Sequence, residues 1–268
     1  MKKKQRLFVL IAGLLFFFSA QTAEANSSSF YWEFIHVDID LQDNGDMLVT
    51  ETMKYIFTES VHPTKRNRSI SNEKLDGIED VKVFERNEGE KKKLSVTTRR
   101  NGDTTWIGWR HEPGKKHHTF VLKYRVKGGV HVSNEEISVY WQALSDGRAV
   151  TIKNGKLLIH FPVLLAEKNI IFNSTGVKLR GRQINSQTIQ FLSDGIFFSN
   201  QKLIVSFVVP SGILNIPVPR WQKLEEIKQK KHQEESSDVD WSWLFPLLFF
   251  LISILLKKGG IEIGGDGE

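Results

Sequence analysis

The chain has 268 residues, 40% of them hydrophobic, with 37 Lys+Arg against 31 Asp+Glu and no cysteine. Its formal charge of +6 falls to about +3 once the four basic residues and one acidic residue of the leader described below are set aside, too mild a surplus to argue for nucleic acid. Without cysteine there are no disulfides and no thiol nucleophile, so burial alone must hold an exported domain together, a habit more typical of bacterial envelope proteins than of animal cell-surface modules.

Residues 1–25 read as a secretory leader. Lys2, Lys3, Lys4 and Arg6 form its positive end, Leu7 to Ala20 its apolar stretch, and Ala23-Glu24-Ala25 the small-x-small signature that places cleavage between Ala25 and Asn26. The apolar stretch is too short to span a bilayer comfortably.

Residues 26–219 are expected to form one all-β domain. In FIHVDIDL, Ile35, Val37, Ile39 and Leu41 share one face; in MLVTETMKYIF, Met47, Val49, Met53, Tyr55 and Phe57 share another. Asp43-Asn44-Gly45-Asp46 between them is a hairpin turn signal. Further strands are expected at Ile78 to Arg86, Leu94 to Arg99, Thr104 to Arg110, Thr119 to Lys127, Glu136 to Gln142, Lys156 to Phe161, Asn169 to Phe172, Thr188 to Leu192 and Lys202 to Val209. About eleven short strands and no long stretch of helical period point to a single β-sandwich, with barrel closure as the alternative. Basic clusters such as Lys65-Arg66-Asn67-Arg68 could face anionic lipid or wall polymer, though such runs are more often solvated loops.

Arg220 to Asp240 reads as a juxtamembrane spacer, helical at first, with Trp221, Leu224 and Ile227 as a weak apolar stripe. Trp241 to Leu256 is then the one expected transmembrane helix. Its sixteen residues reach roughly 24 Å, and the flanking Trp241, Trp243, Lys257 and Lys258 suit the two interfaces. Acidic residues precede the span and lysines follow it, which places the short tail 257–268 in the cytoplasm and the β-domain outside.

Candidate chemistry is sparse. Asp40 to Glu51 nearly spells a calcium loop, but the third position is Gln42 and both flanks read as strands, so a hairpin is expected. His111-Glu112 and His117-His118 flank Pro113-Gly114 without zincin spacing. Ser71-Asn72-Glu73-Lys74 fits Ser-x-x-Lys, yet its Lys-Thr-Gly companion is missing. Neither a catalytic set, a metal site nor a cofactor is expected. Glu51 stands out differently, because it falls on the apolar face of its strand and must be paired, neutralised or functional; a structural pair with a buried arginine is the stronger reading.

Several stretches taken together resemble a family of predicted bacterial membrane proteins built on domain of unknown function 2207. VDIDLQDNGDMLVTETMKYIF is similar to its opening hairpin, HHTFVLKYRVKGGV to its next marker, ISVYWQAL to its Tyr-Trp-Asn segment, and LLIHFP and VSFVVPSGIL to later strands ending in Pro. The family's Arg-Asp-Ile-Pro stretch is here RSIS, which keeps Arg68 and Ile70. The resemblance implies a membrane-anchored extracytoplasmic domain without an established activity, and it suggests Arg68 as the partner of Glu51.

The expectation is therefore a cell-membrane protein, held in the bilayer by one helix. Its β-sandwich serves as a non-enzymatic interaction module for an envelope protein or wall polymer, with Trp106, Trp109, Tyr140 and Trp141 as candidate interaction aromatics, although strand aromatics are more often core. The alternatives are a hydrolase or transpeptidase acting on the cell wall, and a calcium-dependent adhesion module.

Overall fold

Strict alternation in two consecutive segments builds the centre of the fold. In β1 (Phe30–Leu41) and β2 (Met47–Phe57) the residues pair antiparallel, Val37 opposite Glu51 and Asp40 opposite Leu48. Every odd residue of β2 is buried, because period-two alternation puts them all on one face. The turn closes through Gly45, whose φ of +81° suits glycine and whose missing Cβ makes room for Ile216.

The computed structural model describes residues 29–59, 63–87, 89–144, 148, 150–165, 171–212, 214–237, 248 and 250. The leader 1–25, the Ala25–Asn26 cleavage site, the tail and the expected span 241–256, apart from Leu248 and Phe250, lie outside the described residues. Among the described residues no helix is long and apolar enough to cross a membrane.

After β2 come β3 (Lys65–Ser71), β4 (Gly77–Asn87), β5 (Glu90–Leu94), β6 (Val96–Asn101), β7 (Thr104–Arg110), β8 (His117–Lys127), β9 (His131–Val132) and β10 (Glu136–Leu144). Then follow β11 (Ile152–His160), β12 (Ile171–Thr175), β13 (Leu179–Asn185), β14 (Thr188–Ser193), β15 (Leu203–Pro210) and helix α1 (Arg220–Ser237). Eight strands form one sheet in the order β13-β14-β11-β1-β2-β8-β4-β5; β12-β15-β10-β9 and β3-β7-β6 form two smaller ones. All pairings are antiparallel except β1 with β11.

The protein is thus β-rich, with three sheets and fifteen strands among the described residues rather than about eleven. The additional strands are β3, β5, β9 and β13, which are short, polar or both. Lys65-Arg66-Asn67-Arg68 belongs to β3 and is not a solvated loop. Arg66 and Arg68 turn inward while Lys65 and Asn67 stay exposed.

Both small sheets lie on the inner face of the large one. Trp109 on β7 meets Phe120 on β8 edge-on at 5.5 Å, Tyr124 on β8 meets Trp141 on β10 at 6.3 Å, and Phe172 on β12 meets Phe191 on β14 at 5.4 Å. Buried apolar residues from all three sheets join into one core. Helix α1 is anchored at its start by contacts to the loops of the domain. Asp76 accepts from the backbone N–H of Arg220 (3.1 Å) and Trp221 (2.7 Å), Trp221 Nε1 donates to Gly128 O (2.7 Å), and Gln222 exchanges two hydrogen bonds with the backbone of Val132. Leu224 and Ile227 further along are exposed.

Candidate functional site

Glu51 interrupts an otherwise apolar row on β2 and is completely buried, at 0% exposure. Arg68 on β3, 5% exposed, donates from Nε to Glu51 Oε2 at 2.8 Å and from Nη2 to Oε1 at 3.0 Å. The Tyr124 hydroxyl on β8 donates to Oε1 at 2.7 Å. Arg68 also donates to Ala143 O on β10 and to Ser69 O, each at 2.6 Å. Burial opposes the arginine's charge, but the adjacent carboxylate outweighs it and raises the Arg68 pKa; burial and then the Glu51 charge push the Tyr124 phenol well above its usual value. The cluster therefore joins three sheets at one point. With both carboxylate oxygens engaged and water excluded, Glu51 has no geometry for proton transfer to a substrate.

Above this cluster opens a cleft of about 680 Å³, within the range of ligand sites. Lys65, Arg66, Arg68 and Arg148 supply cations to its lining, and Phe30, Trp32, Tyr55 and Trp106 supply rings; no described lining residue is acidic. Arg66 stacks its guanidinium over Phe30 (4.6 Å) and Phe57 (4.7 Å) and donates to Pro63 O. Burial lowers its pKa. Arg148 spends its donors on the carbonyls of Val150 (2.9 Å), Gln201 (3.0 Å) and Phe198 (2.9 Å). Burial first, and the charge of Arg68 second, bring its pKa down to about 10. Among the described residues, Arg68 is ion-paired to Glu51, while Lys65, Arg66 and Arg148 make no ion pair. The cleft is therefore electropositive, and an anion entering it would meet cations not already neutralised.

The four sequence-selected aromatics separate. Trp106, 43% exposed, lines this cleft, and Tyr140, 52% exposed, lines a smaller adjoining cavity of about 190 Å³. Trp109 and Trp141 are buried, which corrects their reading as interaction residues: alternation along β7 and β10 turns them into the core.

The remaining motifs resolve into structure. Asp40 and Glu51 stand on opposite strands of the hairpin, out of register with each other, so a twelve-residue calcium loop does not form. Ser71 Oγ accepts from the Glu73 N–H at 3.2 Å, and Lys74 Nζ sits 5.7 Å over the Tyr140 ring, so no Ser–Lys pair exists. His111 and His118 lie 4.1 Å apart, centroid to centroid, and His118 Nδ1 is 2.7 Å from Glu85 Oε1. His118 is sealed against Phe57 and Phe120, beyond the reach of a substrate. No group of three metal-ligating side chains occurs among the described residues.

Three important residues escaped sequence reading. Asp46 looked like part of a turn signal, yet it is buried and binds Lys127 (2.6 Å), Arg125 (3.2 Å) and the Gly128 N–H (3.2 Å). Arg66 was hidden in a basic run. Arg148 sits in irregular chain, where no periodicity marks it.

A family model described as predicted membrane protein (DUF2207), N-terminal domain, matches residues 32–240. No curated protein matches the chain. Among solved structures, native yeast LTA4 hydrolase is 11% identical, with a TM-score of 0.45, covering 68% of this chain and 29% of its own. A two-domain M1 zinc metallopeptidase bound to L-tryptophan is also 11% identical, with a TM-score of 0.39, covering 66% of this chain and 42% of its own. The chain thus spans less than half of either, and likeness at this level says nothing of its chemistry.

Proposed function

The chain belongs to the DUF2207 family of predicted membrane proteins, and on that premise we propose that it is a non-enzymatic binding module whose cationic cleft receives an anionic partner at the outer face of the cell membrane. The domain is read as a two-layer β-sandwich, delivered by the leader 1–25, cleaved after Ala25, and anchored by one helix at 241–256 with the tail inside. The leader and the acidic-before, lysine-after charges around the span support that orientation.

One observation carries the binding reading. Three cations without an ion pair, Lys65, Arg66 and Arg148, and four rings line the same cleft, and none of its described lining residues is acidic. A catalytic reading has less support, because Glu51 is already saturated and the described residues lining the cleft include no carboxylate and no histidine.

The test uses the full-length protein in detergent, titrated with polyglutamate, polyphosphate and polylysine at rising salt. The expected result is polyanion binding that weakens with salt and is lost in Lys65→Glu. Preference for polylysine, or polyanion binding untouched by Lys65→Glu, would overturn the assignment.

A further inference from the structure

The sheet β3-β7-β6 turns one face into the core and the other to solvent. On β7, Thr105, Ile107 and Trp109 are buried, so period two sends Trp106 and Arg110 outward, where both are exposed. Register carries this outer face across the sheet. Ser69 of β3 and Arg99 of β6 stand on either side of Trp106, Asn67 and Thr97 on either side of Gly108, and Lys65 beside Arg110. Ser71 and Asn101 flank Thr104 in the same way. Apart from Gly108, every residue of these three strands on this face is a cation, a hydroxyl, an amide or the single indole. None is acidic and none is aliphatic.

Charge and surroundings both bear on what this face holds. Lys65, Arg99 and Arg110 make no ion pair among the described residues. Glu112, just past β7, is held by Lys92 at 2.5 Å, and Asp103 lies in the turn between β6 and β7, beyond Thr104 at the opposite end from Lys65 and Arg110. Trp106 is 43% exposed, yet its neighbours across and along the sheet are Ser69, Arg99, Thr104 and Gly108. A protein interface surrounds such a ring with an apolar core, which is missing here. β7 lies between β3 and β6, so its backbone is engaged in two ladders and offers nothing to an added peptide strand. A sugar ring suits the face better. Its C–H groups meet the negative face of an indole, its hydroxyls match side chains that both donate and accept, and an acidic substituent accepts two bonds from a guanidinium.

We infer that the outer face of the β3-β7-β6 sheet binds an acidic glycan, with one sugar ring stacked on Trp106 and the acidic groups held by Arg99 beside it and by Lys65 and Arg110 further along. Four residues of strand separate Trp106 from Arg110, roughly 13 Å, which asks for an oligosaccharide and not a single sugar. Trp106 and Lys65 also line the cleft. The inference therefore rests on the anionic-partner reading and narrows it from any polyanion to a chain of acidic sugars. Arg99 stands outside the cleft lining, so it reports on the sheet face separately from the cleft.

The test titrates tetragalacturonate, its methyl ester and tetraglutamate into the full-length protein in detergent, read by calorimetry. The methyl ester keeps the sugar rings without their charge, and tetraglutamate keeps the charge without the rings. Tetragalacturonate is expected to bind tightest of the three. Trp106→Ala is expected to weaken it by about tenfold, with tetraglutamate binding and melting temperature unchanged, and Trp106→Tyr to keep most of the affinity. Arg99→Gln is expected to weaken tetragalacturonate by about threefold. Should a variant fail to fold, the comparison of the three ligands decides the matter on the unaltered protein. Tetraglutamate binding as tightly as tetragalacturonate, with neither moved by Trp106→Ala, overturns the glycan and leaves the charge reading standing. Unchanged affinity in Arg99→Gln overturns the path across the sheet face. No binding of any probe overturns both readings.

Discussion

Arg68 and Glu51 meet through two roughly parallel N–H···O bonds, 2.8 and 3.0 Å long, with both side chains almost wholly removed from water. Breaking such a pair strands a buried charge, which outweighs the net worth of the pair itself. Glu51→Ala is expected to cost about 3–5 kcal/mol in denaturant unfolding followed by tryptophan fluorescence. The double change Glu51→Leu with Arg68→Met is expected to recover most of that loss. A single-variant cost below about 1 kcal/mol would show that the three sheets do not depend on this junction.

Tyr124→Phe isolates the third hydrogen bond. It removes the donor 2.7 Å from Glu51 Oε1 and leaves ring packing against Trp141 in place. A loss of about 1.5–3 kcal/mol is expected, as for a bond to a charged acceptor. An unchanged unfolding midpoint would mean that Arg68 alone satisfies the carboxylate.

These two residues also show how far the sequence could be read. A glutamate in a period-two apolar row demands a partner, and that logic needs no structure. Naming Arg68 took a resemblance, because nothing in KRNRSIS tells an inward arginine from a solvated one. The strands of clear alternation, β1, β2 and β7, were legible to within a residue or so at most ends. β13, with the sequence LRGRQIN, was not, because an edge strand with little buried area leaves little apolar pattern. The cationic cleft was illegible for a similar reason. Arg66 and Arg148 come together only through tertiary packing, and neither lies in a spacing motif.

Acid should unfold the protein partly through Asp46 and Glu85. Burial alone would raise both pKa values, but hydrogen bonds to Asp46 from Lys127, Gly128, Asn44 and Arg125, and to Glu85 from His118 and Asn87, hold them below their ordinary 3.8 and 4.5. A depressed folded-state pKa contributes stability that is complete above the unfolded value and is lost as pH falls through the folded one. Melting temperature is therefore expected to fall as pH drops below about 4.5, with a shallower acid limb in Asp46→Asn. An identical acid limb in that variant would remove Asp46 from the account.

Asp76 holds the first turn of α1 from a distant part of the chain. Asp76→Ala is expected to cost about 0.5–2 kcal/mol, the range for a lost N-cap. Hydrogen exchange should rise at Arg220 and Trp221 while the sheets stay protected. Uniform acceleration across the sheets would show instead that the contact supports the whole domain.

The parallel pairing of β1 with β11 fixes an order of events during synthesis. Val37 sits beside Leu157 near the middle of the large sheet, and more than a hundred residues separate them along the chain. A polypeptide that emerges N-terminus first can zip β1 to β2 early, yet one side of β1 stays open until β11 arrives. For that interval a long, regular strand edge is available to a neighbouring nascent chain. Contacts of such large sequence separation also fold slowly. Yield in the cell should therefore depend on whatever shields that edge while the second half of the domain is being made.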